Sequence, residues 1–197
     1  MAAAQVRIGV IGHGTVGAAF VQLVKQQSDT IAARSGVKLE IARVAVRNID
    51  AHQNSLAAEV LTTDAEFLVN DPTVDLVVEV MGGIDQARGL ILKALANGKP
   101  VVTANKALIA THGAELFAAA DNAGIDLLFE AAVCGGIPLI RPLRESLRGE
   151  PIRRVLGIIN GTTNYILTKM SEDGASYAEA LAGAQKLGYA EADPTAD

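Results

Sequence analysis

"IGVIGHGTVGAAF", residues 8–20, decides the fold. An apolar run, Ile8 to Ile11, meets Gly12, Gly14 and Gly17 in G-x-G-x-x-G spacing, and the residues behind them turn to helical periodicity. Each glycine answers a steric demand where a strand hands over to a helix. Gly12 allows the tight turn, Gly14 lets a backbone approach a pyrophosphate, and Gly17 lets helix and strand pack closely. The first amides of such a helix have no intrahelical acceptor and carry the positive end of its dipole, which suits phosphate. The same spacing also occurs in turns that serve only packing, so its surroundings must decide.

Those surroundings favour the nucleotide reading. Phe20, Val21 and Val24 share one helical face with Gly17, while Gln22, Lys25 and Gln26 face outward. Short apolar runs then alternate with helical stretches: "VRIGVI" before 15–27, "LEIARVAV" before a polar segment, "VDLVVEV" before 84–97, "KPVVTA" before 107–122, and then "IDLLFEA". Nearly continuous Val, Ile and Leu is the pattern of parallel strands covered on both faces and joined by right-handed helical crossovers. An α/β doubly wound parallel sheet of the Rossmann kind is expected. Beyond Glu130 the texture changes to the Gly-, Pro- and charge-rich "AAVCGGIPLIRPLRESLRGE", which places a domain boundary near 134–150. A strand candidate, "IRRVLGIIN", and two short helices in "TNYILTKMSEDG" and "SYAEALAGAQKLG" follow, each helix closed by glycine.

Composition narrows the partners. Half of the 197 residues are hydrophobic, aromatics are 4%, Trp is absent, and the formal charge is -5. That balance suits helices on buried strands and argues against nucleic acid, whose affinity comes mainly from Lys and Arg neutralising phosphates. No apolar run approaches the ~18 residues of a membrane span, and the N-terminus lacks the pattern of a secretory signal. One cysteine, Cys134, excludes an internal disulfide, and no Cys/His cluster could hold zinc. The cytoplasm is the expected compartment and a small molecule the expected partner.

Two positions refine the site. An NAD site normally ends its second strand with a carboxylate for the ribose hydroxyls, whereas Arg there accommodates a 2′-phosphate. Here that strand ends in Arg47 and Asn48, which favours NADP, with Asp50 close enough to leave NAD open. Lys106 in "KPVVTANKALIA" stands just past a strand's carboxyl end, where doubly wound sheets bind ligands. A loop lysine is ordinarily just solvated; an ammonium beside a nicotinamide could instead offset charge on a reacting oxygen.

Taken in order, "GHGTVG", "VVTANK", "FEAAVCGGIPLI", "LRGEPIRRVLGIINGTTNYILTKM" and "AQKLGYAEADPTAD" resemble homoserine dehydrogenase across essentially the whole chain. That family interconverts aspartate 4-semialdehyde and homoserine with NAD(P)H, on the route to threonine, methionine and isoleucine. The resemblance implies an NAD(P)-binding domain over 1–134 and, over 135–197, the beginning of an incomplete α+β substrate and dimerisation domain, with the full-length enzyme a homodimer. It also implies that Gly12, Gly14, Thr15, Val16 and Gly17 line the pyrophosphate, with Arg47 near the adenosine phosphate. Lys106 would lie between nicotinamide and substrate, and Glu191 would hold the amino group of homoserine. Glu130 with the carbonyls of Val133, Gly135 and Ile137 would gather around a monovalent cation, sodium in this family. Relatives continue past "DPTAD" into a Gly-x-Asp and a lysine that complete the substrate site, so a fragment that alone binds NADP weakly or not at all and turns over poorly is expected.

Two other readings compete. Cys134 could be the nucleophile of a thioester-forming aldehyde dehydrogenase, but such a thiolate wants a nearby base, and none of His13, His52 and His112 follows it. The ordinary reading of Cys134 is a small buried side chain. The chain could also be a nucleotide-sensing or dimerisation module without catalysis.

Overall fold

The computed structural model describes residues 4–157 and 160–190. They divide into two compact units, the first ending at Arg148 and the second beginning at Gly149.

The first unit alternates strands and helices. β1 (Ala4–Ile11), α1 (Thr15–Ser35), β2 (Val37–Ala45), β3 (Leu61–Thr62), α2 (Ala65–Asn70), β4 (Leu76–Glu79), α3 (Asp85–Ala96), β5 (Val101–Thr103), α4 (Lys106–Ala123) and β6 (Leu127–Leu128) follow in order. The strands form one sheet, β3-β2-β1-β4-β5-β6, parallel throughout. Chain order reverses between β1 and β4, and at such a switch point the loops after neighbouring strands part to leave a crevice for a ligand.

Alternation along the strands feeds two cores. Ile8, Val10, Val44 and Val78 pack with Val21 of α1, while Ile11, Val77 and Val101 pack with Leu90, Ile91 and Leu95 of α3 and Leu108 and Leu116 of α4. Val77 and Val78 thus serve opposite faces, as a two-residue period requires. Both faces are covered, which explains why the strands read as unbroken apolar runs. The 15–27 helix expected from periodicity continues to Ser35 and stops at Gly36, whose φ of 72° suits glycine.

In the second unit α5 (Gly161–Glu172) and α6 (Tyr177–Lys186) pack through Ile166, Ala180 and Ala184, with Tyr165 and Leu181 against them. Asn160 caps α5 by accepting from the Thr163 N–H at 2.7 Å. Ser176 and Glu179 form a reciprocal capping box at the start of α6. The apolar stretch expected as a strand forms none over residues 152–157, where the backbone pairs with no strand among the described residues; its residues 158–159 lie outside them.

Candidate functional site

The turn after β1 is shaped by contact. At Gly12, with φ of 101°, a Cβ would lie 2.7 Å from the Met81 Cα and 2.8 Å from the Val80 carbonyl oxygen. A Cβ on Gly17 would lie 2.1 Å from the Gly12 carbonyl oxygen. At Gly14 a Cβ would meet nothing within 4 Å, so this glycine leaves space rather than filling a packed contact. Gly14 is the N-cap of α1 and offers no side-chain acceptor, and the first helical turn holds no acidic residue. The amides of Thr15, Val16 and Gly17 therefore stand without a side-chain cap, while Gly14 accepts from the Ala18 N–H. Thr15 and Val16 are exposed and Gly17 is buried.

Arg47 is exposed just beyond β2 and joins no ion pair among the described residues. The nearby Asp50 is turned elsewhere: its Oδ1 accepts from Gln53 Nε2 at 2.9 Å and its N–H donates to Asn48 Oδ1 at 3.0 Å. The same loop returns to the glycine turn through His52, whose Nδ1 lies 3.3 Å from that of His13, ring edge against ring face. Burial, then the neighbouring His52 and Lys25, holds the His13 imidazole below its usual value. Nothing in the sequence links two histidines 39 positions apart; only parallel pairing of β1 with β2 brings their loops together.

Lys106 is the first residue of α4, exposed and outside every ion pair among the described residues. Asn105 caps that helix, its Oδ1 accepting from the Leu108 N–H at 3.1 Å while its Nδ2 donates to the Gly83 carbonyl at 2.7 Å. Beneath these loops lies Glu79, fully buried at the end of β4. It accepts from the Met81 N–H at 2.9 Å and from the Thr103 hydroxyl at 2.6 Å. Sequence patterning passes over Glu79 because a single carboxylate inside "VDLVVEV" looks like an interruption of an apolar strand.

Beyond β6, Glu130 opens a short 3-10 turn, and Cys134 and Gly135 follow with φ of 58° and 57°. Its Oε1 accepts from the N–H groups of Leu139 at 2.6 Å and Ile140 at 2.9 Å, and its Oε2 from Arg141 at 2.7 Å. Burial pushes this carboxyl up, but the three N–H bonds and the Arg141 charge outweigh it and hold the value low. Glu130 thus caps the helical turns that lead into Pro142–Ser146 and ties residues 139–141 to the first unit, whose contacts run on past 134 to Arg148. Its own carbonyl accepts from the Val133 N–H, whereas the carbonyls of Val133, Gly135 and Ile137 accept no hydrogen bond among the described residues.

Cys134 is exposed, against the expectation of a buried side chain, because its left-handed backbone sits at the tip of this bend. His13 and His52 pair with each other, and His112 Nδ1 lies 3.7 Å from Glu115. Among the described residues no histidine serves the thiol as a base. Within the second unit, Gly161, Thr162, Tyr165, Gly188 and Tyr189 line an open cleft of about 520 Å³, and the Thr162 hydroxyl donates to the Tyr189 carbonyl. Glu191 lies outside the described residues.

A family model described as "Homoserine dehydrogenase, NAD binding domain" matches residues 12–130, and one described as "Homoserine dehydrogenase" matches residues 138–197. The chain belongs to the homoserine dehydrogenase family. The homoserine dehydrogenase of Corynebacterium glutamicum is 53% identical over 98% of this chain and 43% of its own length. That of a Synechocystis species is 50% identical over 98% of this chain and 44% of its own. Among solved structures, a homoserine dehydrogenase from Thiobacillus denitrificans superposes with a TM-score of 0.90 at 46% identity, over 97% of this chain and 44% of that one. A hyperthermophilic archaeal homoserine dehydrogenase in complex with NADPH gives a TM-score of 0.84 at 31% identity, over 98% of this chain and 64% of that one. The chain thus spans less than half the length of these curated relatives.

Proposed function

We propose that this chain is the cofactor-binding part, and the beginning of the substrate part, of an enzyme that interconverts aspartate 4-semialdehyde and homoserine with NADP. The domains in this reading are 1–134 for the cofactor and 135–197 for the substrate side. One observation carries the proposal: the amides of Thr15, Val16 and Gly17, without a side-chain cap, and Lys106, outside every ion pair among the described residues, stand on the same carboxyl edge of one parallel sheet. An anion and a reacting carbonyl are what such groups recognise.

Gly12, Gly14, Thr15, Val16 and Gly17 would hold the pyrophosphate. Arg47, free of carboxylate partners among the described residues, would meet an adenosine phosphate, which favours NADP over NAD. When bound, the nicotinamide supplies the hydride in one direction and accepts it in the other. Lys106 then stabilises negative charge that develops on the aldehyde oxygen, and Glu191 fixes the substrate ammonium so that the carbonyl carbon is presented in one orientation. Tyr189, which lines the cleft with Thr162 and Tyr165, stands two positions before Glu191 in the sequence, which supports a substrate role for that segment.

The carbonyls of Val133, Gly135 and Ile137, which accept no hydrogen bond among the described residues, are hard oxygen donors of the kind a monovalent cation such as sodium takes. With its carboxylate engaged by three amides, Glu130 shapes that loop. Exposed Val155, Leu156 and Leu187 in the second unit support burial against a second copy in a homodimer. A single free cysteine supports a cytoplasmic setting.

Titrating NADPH fluorescence with and without homoserine tests this reading. Saturable binding, tighter for NADPH than for NADH and altered by homoserine, is expected. Binding indifferent to homoserine would turn the assignment towards a nucleotide sensor, and no binding would remove it. In an enzyme carrying the complete substrate site, Glu191→Gln should raise KM for homoserine more than it changes cofactor affinity; an unchanged KM would take Glu191 out of the site.

A further inference from the structure

We propose that Glu79 is a positioning residue that locks the three loops at the ligand edge into one arrangement, setting the glycine turn and Lys106 against each other. The inference rests on the reading of that edge as the cofactor site, and it assigns a part to a residue that contributes nothing to binding directly.

Glu79 is fully buried and joins no ion pair among the described residues. A carboxylate in such a place is costly unless its oxygens are satisfied, and two donors converge on it. Oε1 takes the Met81 N–H at 2.9 Å and Oε2 takes the Thr103 hydroxyl at 2.6 Å. The Thr103 oxygen in turn accepts from the Asn105 N–H at 3.0 Å. Asn105 then caps α4 through Leu108 and donates to the Gly83 carbonyl at 2.7 Å. The backbone repeats the link, the Ala104 N–H donating to the Glu79 carbonyl at 3.3 Å.

Three loops are therefore fastened by one group. The loop after β4 is held at Met81 by Glu79 and at Gly83 by Asn105, and between them Gly82 has φ of 74° and open space around it. The loop after β5 is held by Thr103, which delivers Lys106 to the first turn of α4. The glycine turn after β1 rests on the same stretch, since a Cβ on Gly12 would meet the Met81 backbone at 2.7 Å. A shift of Met81 would therefore be felt at once by Gly12.

The chain of bonds has a direction that only an acceptor at its root can supply. Glutamine in place of Glu79 offers one acceptor and one donor where two donors arrive, so one contact must reverse its direction. Thr103 can accept from the new amide with its second lone pair, but its own proton then loses the carboxylate that takes it. Volume is conserved in Glu79→Gln and in Thr103→Val, so both test polarity rather than packing, while Thr103→Ser keeps the hydroxyl.

The experiment measures NADPH affinity by fluorescence, and amide hydrogen exchange without ligand, on the purified chain and these three variants. Glu79→Gln and Thr103→Val are expected to weaken NADPH by ~10-fold, the scale of one lost buried hydrogen bond, and Thr103→Ser by much less. Exchange should quicken at 80–83 and 104–106 while the amides of β1 and β2 stay protected. Wild-type affinity in Thr103→Val, or equal loss in the serine and valine variants, overturns the positioning role. So does faster exchange spread evenly over the sheet, which marks a stability effect alone. A wild-type chain that binds no NADPH overturns the cofactor reading instead, and with it the purpose given to Glu79; the exchange pattern then still shows whether Glu79 holds these loops.

Discussion

Gly14 and Gly17 stand three positions apart in one motif, yet a methyl group added to each would do opposite things. At Gly17 it would collide with the Gly12 carbonyl at 2.1 Å, forcing α1 off the sheet. Gly17→Ala should cost about 1–3 kcal/mol, read as a lower unfolding midpoint in urea. At Gly14 the backbone, with φ of -75°, accepts alanine and no atom lies within 4 Å. Gly14→Ala should leave that midpoint unchanged while weakening NADPH by ~10-fold or more, because it fills the open space assigned above to the approach of a pyrophosphate. A Gly14→Ala variant that binds NADPH like the wild type would return the motif to a packing role. The histidine pair adds a pH test. His13 is held below its ordinary 6.5 by burial and by His52 and Lys25. As pH falls through that range the unfolded chain takes up a proton that the folded His13 resists, so stability is lost on acidification and none is gained above it. His13→Leu should therefore flatten the loss of stability between about pH 7.5 and pH 5.5, measured by urea unfolding. The glycine spacing was legible because each glycine's reason is local; the His13–His52 contact and the Glu79 relay were not, since both depend on which strands lie side by side.

Legibility at the level of elements followed length. α1, α3 and α4 were readable because an amphipathic stripe repeats over several turns, and β1, β4 and β5 because apolar runs stand between them. β3 has two residues and α2 has six, too short for either period to show, and they form inside what reads as a polar segment. Local chemistry and ion pairs hold them instead. Asp64 caps α2 by accepting from the Phe67 N–H at 2.9 Å, and Arg43 of β2 reaches Asp71 at the helix end at 3.0 Å. Arg7 of β1 holds Asp75 at 2.7 Å just before β4 begins. Burial pushes the Asp71 carboxyl up, but bonds from the Thr73 hydroxyl and N–H and from Arg43 outweigh it and bring it to about 2. Asp75 is lowered to about 2 chiefly by its hydrogen bond from Arg7. Folded carboxyls more acidic than the ordinary 3.8 contribute stability that is complete above that value and is lost as pH falls towards 2. Asp71→Asn should thus destabilise the chain near neutral pH and shrink the further loss between about pH 5 and pH 3, followed by urea unfolding. An acid transition as steep as that of the wild type would place the linkage on other carboxylates.

For the molecule as a whole, the two units differ in the size of the core they close. The sheet of the first is covered on both faces and its buried polar groups are paired among the described residues. The second buries Ile166, Ala180 and Ala184 but leaves Val155 and Leu156 66% and 83% exposed. On the proposed assignment of the cofactor to the first unit and the substrate to the second, cofactor binding should outlast substrate-dependent effects. The most direct measurement is the map of backbone amide shifts in this chain as NADPH is added. Large shifts confined to residues 12–17, 47–48, 82–83 and 105–106 are expected, with the Thr15, Val16 and Gly17 amides among the largest. Saturable shifts that miss the glycine turn, or leave Lys106 unmoved, would contradict a dinucleotide seated across the switch point of the sheet.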